Sequence, residues 1–390
     1  MTGADVRVLH LIPGVGFGGG AERSLVETAP GLRAQGIDLE VAYFVDRPHS
    51  AVDRLRDEGT TVHHIPATGW LGRVTGVRRL LAERPPDLLQ TSLFEADLVG
   101  RTAARGLDLP VLGSLVQANH DPLRTRDPTY SRGRLAVVRA VEGATARRWM
   151  THAVANSEAA RWAAVRGLRI DPDRVTVIHR GRSAEPATTA RADRRAAVRA
   201  GLGLPAAAPV LLNVGRHEFQ KDHVTLVRAM PGVLVRHPET HLLVAGREGV
   251  MTGRLTELVH ELGLAKRVHL LGARDDVPDL LAAADVFVLP SILEGLPGAL
   301  IEAMAAELPI VAAAIPAVWE LVGPEEADLV PVEDPEALAD ALSGVLDEPG
   351  RAARHAAAAR RRFEAELTLD RAVAETAELY RRLVVDGRAT

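Results

Sequence analysis

The chain of 390 residues contains no cysteine. That absence excludes disulfides, thiolate metal ligands and cysteine nucleophiles together, and it fits a reducing compartment. Lysine is nearly absent too: Lys221 and Lys266 are the only two, among basic residues that are otherwise arginine. No apolar run approaches the roughly 20 residues that a membrane-spanning helix needs. The first apolar stretch, residues 6–12, has no basic segment before it and no cleavage site after it, so no secretory signal is expected. These absences predict a cytoplasmic protein that at most rests on the inner face of a membrane. The net charge of −4 argues against general nucleic-acid binding. No solenoid repeat occurs, and no His/Asp/Glu cluster has metal-ligand spacing.

What is present is an alternation of strand and helix signals. The length exceeds one ordinary core, so two domains are expected. Short apolar runs at 6–12, 39–44, 62–65, 88–91, 111–115, 152–155 and 175–178 are separated by helical stretches, the first at 21–34. This pattern indicates βαβ units and a parallel sheet. Strand signals stop after Ile178, and a Gly/Pro/Ala-rich segment with a short Arg/Ala helix at 191–200 reads as a connection. The pattern restarts at 210–214 and continues at 241–245, 268–271, 286–289, 310–313 and 328–330. The tail is helical and ends with 371–385. The fold class is therefore α/β, two doubly wound Rossmann-like domains facing a cleft, with the C-terminal helix crossing back. The boundaries read as 1–185, a connection at 186–207, 208–365, and a closing helix at 366–390.

The first loop reads Gly14-Val15-Gly16-Phe17-Gly18-Gly19-Gly20-Ala21-Glu22. Glycines let a backbone approach a phosphate, and a helix N-terminus offers free N–H groups. The frame Gly14-x-Gly16-x-x-Gly19, with Asp38 or Glu40 about 20 residues on, also matches a dinucleotide fingerprint. An NAD(P)-dependent oxidoreductase is thus the rival reading, and a turn without ligand the bland one. A helix start after Gly20 makes that fingerprint loose.

In the second half, strand 210–214 leads into Gly215-Arg216, and Lys221 follows after a polar loop. A planar guanidinium and a point ammonium can together neutralise a diphosphate. The rarity of lysine points to an ammonium needed at Lys221; a solvated turn charge is the alternative. Beyond strand 286–289 comes Pro290-Ser291-Ile292-Leu293-Glu294-Gly295-Leu296-Pro297-Gly298-Ala299-Leu300-Ile301-Glu302. Doubly wound folds bind ligands at such strand ends. Glu294 should lie in the loop and Glu302 about one turn into the next helix. Ionised carboxylates only accept hydrogen bonds, which suits sugar or ribose hydroxyls; a surface pair is the alternative. His120 follows a strand-like segment and could exchange a proton or bind a sugar hydroxyl, or be an ordinary turn histidine. Asp171-Pro172-Asp173 reads as a turn rather than a metal triplet. Residues 121–199 hold 17 Arg against 8 acidic residues. Within them, Arg124, Arg126, Arg132, Arg134, Arg139, Arg147 and Arg148 could face anionic lipid or a phosphate-bearing acceptor, or form a solvated face.

Together these pieces resemble glycosyltransferase family 4, with the two-domain GT-B fold, over nearly the whole chain. Gly19-Gly20-Ala21-Glu22-Arg23 is similar to the opening GGxER loop, Arg216 and Lys221 to the Arg/Lys pair, and Glu294 through Glu302 to the E-x7-E motif. His120 falls where many members carry a histidine, and Asn156-Ser157-Glu158 resembles a segment after a late strand.

The resemblance implies a retaining glycosyltransferase that uses a nucleotide-sugar donor and a hydroxyl acceptor, without metal or other cofactor. Its products would be polysaccharide, glycolipid or glycoconjugate, or alternatively a glycosylated small-molecule natural product. The first domain would be the acceptor side, and the second would bind the donor. Arg216 and Lys221 would stabilise the leaving diphosphate. Glu294, with Gly295, Leu296, Pro297 and Gly298, would hold the transferred sugar, and Glu302 the ribose diol. Gly19, Gly20 and Gly215 would line the donor, and loop 272–276, with Arg274, would meet the base. His120 would act beside Glu294, Arg216 and Lys221 in catalysis. The chain departs from the family's Asn-Gly-x-Asp stretch, reading His179-Arg180-Gly181-Arg182-Ser183. It also has Gly-Leu-Pro-Gly after Glu294, where members usually have Gly-Phe-Gly.

Overall fold

The computed structural model describes residues 6–16, 19–47, 50–116, 120–183 and 189–388. It divides into two compact units, Met1–Gly181 with Leu369–Thr390, and Arg182–Thr368.

The first unit runs β1 (Val6–Ile12), α1 (Gly20–Ala34), β2 (Ile37–Tyr43), α2 (Val52–Asp57), β3 (Thr61–His64), α3 (Gly69–Glu83), β4 (Leu88–Ser92), α4 (Phe94–Ala103), β5 (Val111–Leu115), α5 (Arg132–Trp149), β6 (His152–Ala155), α6 (Glu158–Leu168) and β7 (Val175–Val177). Its strands pair in parallel in the order β3-β2-β1-β4-β5-β6-β7. Central strands of such a sheet are covered on both faces, so β4 and β5 are buried throughout.

The second unit runs α7 (Thr189–Gly201), β8 (Val210–Val214), α8 (His223–Arg236), β9 (His241–Ala245), α9 (Thr252–Glu261), β10 (Val268–Gly272), α10 (Val277–Ala283), β11 (Val286–Leu289), α11 (Gly298–Ala305), β12 (Ile310–Ala313), α12 (Pro316–Trp319), β13 (Asp328–Val330), α13 (Pro335–Asp347) and α14 (Pro349–Glu366). Its parallel order is β10-β9-β8-β11-β12-β13. The order reverses between β8 and β11, so the loops leaving those two strands lie side by side.

The closing helix α15 (Leu369–Arg388) belongs to the first unit. Val373, Ala377, Tyr380 and Val384 recur at helical spacing and enter that unit's core. The buried Tyr380 hydroxyl donates to Gln90 Oε1 on β4.

The stretch 186–207, expected as a connection, supplies α7 to the second unit; residues 186–188 lie outside the described residues. Asp285 anchors it, accepting from Arg195 Nη2 at 2.5 Å, Arg199 Nη2 at 2.7 Å and the Val210 backbone N–H at 2.8 Å. Arg199 is only 2% exposed, and burial lowers its pKa while Asp285 opposes that shift. An Arg/Ala helix reads as a solvated linker when its carboxylate partner lies some 90 positions away.

Buried histidines make the second unit sensitive to acid. Burial holds His223 down to about 3 and also lowers His217, His241 and His269. The unfolded chain binds protons near 6.5 while the native histidines do not, so stability is full above that pH and falls as pH drops toward the native values. Asp222, raised by burial, is a single opposing group. In the first unit burial lowers two histidines, His10 to about 4 and His152, and Asp97, which burial raises to about 6, opposes them. Urea unfolding followed by hydrogen exchange should therefore show the second unit losing more stability than the first between pH 6.5 and pH 4.5. Equal loss would contradict this account.

Candidate active site

The loop after β8 starts from a close backbone crossing. The Gly215 N–H donates to Ala245 O at 2.9 Å, and a Cβ on Gly246 would stand 1.9 Å from Gly215 O. Only glycine fits at Gly246. A 3-10 turn, Phe219–Lys221, follows. Asp222 then takes a left-handed conformation (φ 46°), and its side chain caps α8 by accepting from Thr225 N at 3.3 Å. This geometry lays the Lys221 stem along Gly215. The Ile292 N–H donates to Gln220 O at 2.9 Å, tying the loop after β11 to the same turn.

The result is a direct ion pair. Lys221 Nζ donates to Glu294 Oε1 at 2.5 Å, and Ser291 Oγ donates to the same oxygen at 2.8 Å. The two side chains are 19% and 10% exposed, so the pair is largely shielded from water. Pro297 caps α11, and Glu302 sits one turn into that helix. Its Oε1 accepts from Arg182 Nε at 2.9 Å. Gly215, Lys221, Glu294 and the turn from Gly295 to Gly298 thus converge at the ends of β8 and β11. Arg216 and Arg274 turn to nearer partners. Arg216 Nη1 lies 3.5 Å from Glu218 Oε1, and Arg274 forks onto Asp276, whose carboxyl that hydrogen bonding holds below its usual range.

Sequence reasoning did not single out Arg182, Ser291 or His223. Arg182 lies inside the segment that departs from the family pattern, and Ser291 inside the Pro-Ser pair; both were visible without a partner to give them meaning. His223 packs beside Gly215 and edge-on to His217, with ring centroids 5.3 Å apart.

In the first unit, Gly19 caps α1 and Gly20 begins it, one residue earlier than expected. A Cβ on Gly20 would stand 2.8 Å from Arg180 Nη1, so Arg180 covers the start of the helix. Phe17 and Gly18 lie outside the described residues, as do Gln117, Ala118 and Asn119 before His120. The His120 ring is buried, with Nε2 3.4 Å from Glu142 Oε1 on α5 and its Cβ against Gly167 on α6. The structure wedges the His120 side chain between two helices. Asp171 caps a 3-10 turn by accepting from Asp173 N at 2.9 Å, the turn expected there. Among the described residues, no group of three or more His, Asp or Glu side chains could hold a metal ion. A crevice of about 130 Å³ lies between the sheet and helices α1 and α15. Two buried polar pairs line it, His10 Nε2 with Ser92 Oγ at 2.8 Å and Gln90 Nε2 donating to Ser114 Oγ at 2.9 Å.

Two doubly wound units, the second gathering a cationic loop and two glutamates at its strand-order reversal, define a glycosyltransferase of the GT-B class. Comparison with known proteins agrees. The chain matches the family profile "Glycosyl transferase 4-like domain" over residues 19–181 and "Glycosyl transferases group 1" over residues 194–362. It is 31% identical to a D-inositol 3-phosphate glycosyltransferase of Kineococcus radiotolerans, across 97% of this chain and 93% of that one. The corresponding enzyme of Streptomyces scabiei is 29% identical, across 96% and 89%. Among solved structures, HepE of Anabaena in complex with UDP aligns with a TM-score of 0.79 at 22% identity, covering 96% of this chain and 99% of that one. Sucrose-phosphate synthase of Thermosynechococcus elongatus aligns at 0.80 and 23%, covering 97% and 100%. At these identities the structural likeness shows the fold. The chain belongs to the group 1, family 4 glycosyltransferases. The oxidoreductase reading of the first glycine loop is set aside by that membership.

Proposed function

We propose that this glycosyltransferase takes its sugar from a nucleotide-diphosphate donor, retains the anomeric configuration and needs no metal. The observation that carries the reading is the Lys221–Glu294 pair at the ends of β8 and β11. The donor diphosphate would lie against Lys221 and Arg216, whose charges offset the negative charge that grows as the glycosidic bond breaks. Glu294, oriented by Ser291 and Lys221, would accept from hydroxyls of the transferred sugar, with N–H groups of the following turn beside it. Glu302 would accept from the ribose diol, and the loop at 272–276 would meet the base. Two cationic side chains in place of a metal fit a leaving group that departs by charge dispersal. Attack by the acceptor hydroxyl on the same face as the leaving group would then retain configuration.

The curated relatives are named for transfer to an inositol phosphate, and HepE has been crystallised with UDP-glucose, which supports a nucleotide-sugar donor. The first unit would take the hydroxyl acceptor, its crevice, mostly apolar but with two buried polar pairs, being the place for it. Products in polysaccharide, glycolipid or glycoconjugate synthesis suit such an acceptor.

The test is a melting-point screen of UDP-, GDP- and ADP-sugars, followed by turnover with and without EDTA and NMR of the product anomer. A ligand that binds the native state raises the melting point. Stabilisation by one nucleotide class, EDTA-resistant turnover and a retained anomer are expected. Dependence on added divalent cation, or an inverted product, would refute the mechanism.

Peripheral contact with an anionic membrane at the cytoplasmic face is part of the same proposal. Among the described residues no helix is long and apolar enough to cross a membrane. Helix α5 exposes Arg132, Arg134 and Arg148 beside Val137 and Val141, a basic and apolar surface. Arg139 and Arg147 are instead engaged with the carbonyls of His120 and Leu168. Sedimentation with anionic vesicles but not neutral ones is expected, and lack of preference would remove the idea.

A further inference from the structure

We propose that Arg182 is a positioning residue for the donor ribose: it holds the Glu302 carboxylate in the orientation that accepts the two ribose hydroxyls. The inference rests on the reading of Glu302 as the ribose carboxylate.

The geometry is specific. Arg182 Nε donates to Glu302 Oε1 at 2.9 Å, between side chains only 4% and 11% exposed. Arg182 is the first residue of the second unit, and its backbone is pinned there. Its N–H donates to Leu367 O at 3.0 Å, and it pairs in parallel with Thr368, just past the end of α14. Helix α14 packs on α11, which carries Glu302. Guanidinium and carboxylate are therefore held from two elements that touch each other, and neither backbone can drift without disturbing that packing.

Physical chemistry gives the contact a purpose beyond stability. A glutamate on a helix has three side-chain torsions, and ordering a long side chain costs on the order of 1–2 kcal/mol. A planar guanidinium, fixed by its own backbone, meets that cost before the ligand arrives. A carboxylate has about four lone-pair sites, so a guanidinium on one edge is compatible with a diol on another. Arg182 occupies the one variable position of the stretch Arg180-Gly181-Arg182-Ser183, where the family's Asn-Gly-x-Asp pattern leaves the residue open.

The experiment compares affinity for two ligands in three proteins. The probes are UDP, GDP or ADP, whichever stabilises the wild-type chain, and the matching 2′,3′-dideoxy nucleoside diphosphate. Calorimetry should show the wild type binding the ribonucleotide about tenfold or more tightly, as expected when hydrogen bonds to a charged group are lost. In Arg182→Gln that preference should fall to about two- to threefold, with dideoxy binding changed by less than about twofold, because only the diol contact is misaligned. Glu302→Gln should lose the preference in the same way.

A merely structural arginine would weaken both nucleotides alike, and that result overturns the inference. If Glu302→Gln loses the preference while Arg182→Gln keeps it, the inference falls and the reading of Glu302 stands. If Glu302→Gln keeps the preference, the reading of Glu302 itself falls. Should Arg182→Gln fail to fold, Arg182→Lys keeps the charge but lacks the planar Nε donor. A preference reduced by at least about threefold supports the proposal there, and an unchanged one overturns it.

Discussion

Lys221→Ala should lower kcat by about 10²–10³-fold while the protein stays folded, the usual loss when one preorganised charge-stabilising donor is removed. The ammonium acts twice. In the proposed mechanism it would neutralise the departing diphosphate, and it contacts Glu294 at 2.5 Å. Removing it leaves a carboxylate that is only 10% exposed with the Ser291 hydroxyl as its remaining donor on Oε1. That carboxylate would repel a diphosphate that Lys221 had attracted. Glu294→Ala should be at least as damaging to turnover, because it would remove the proposed acceptor for the sugar hydroxyls and the carboxylate that pairs with Lys221. Lys221→Arg should restore only part of the rate: the stem runs along Gly215, and a planar fork cannot place a point charge in the same spot. Single-turnover kinetics with the donor found by melting-point screening, alongside far-UV circular dichroism, reads all three. Wild-type turnover in purified Lys221→Ala would remove Lys221 from the site.

Asp285→Ala should destabilise the second unit by about 3 kcal/mol or more, because one buried partner of a desolvated ion pair is left uncompensated. Asp285 sits at the junction of three groups, accepting from Arg195, Arg199 and the backbone of Val210. Arg195 is half-exposed and can turn to water, but Arg199 is buried and also donates to the carbonyls of Ala206, Ala208 and Ala283. Those carbonyls cannot replace the negative charge. For a unit of this size each kcal/mol shifts the melting point by roughly 2–4 °C, so a fall of about 6–12 °C is expected. Hydrogen exchange should locate the loosened amides in α7 and at the start of β8. A melting point within about 2 °C of wild type would show that α7 is held by other contacts.

Much of the architecture could be read from the chain. Strands at 111–115 and 152–155 have the bounds of β5 and β6, because strands buried in a parallel sheet leave short apolar runs between helical segments. The E-x7-E spacing was legible for a similar local reason: loop and helix turn follow each other directly, so Glu294 falls in the loop and Glu302 one turn into α11. His120 was legible only as a residue at a strand end. Its burial against Glu142 and Gly167 depends on how α5 and α6 pack, which no local pattern encodes.

By itself the sequence determined the α/β class, the two sets of strands and the position of the charged loops that follow β8 and β11. Each of these is written in periodicity or spacing over a few residues. Only the tertiary structure decided which charges meet: Lys221 with Glu294 across 73 positions, Arg199 with Asp285 across 86, and Arg182 with Glu302 across 120. Those meetings follow from β8 lying beside β11 and from the packing of α7, α11 and α14 around that sheet. A charge acts over a few ångströms of space, and distance along the chain carries no record of it.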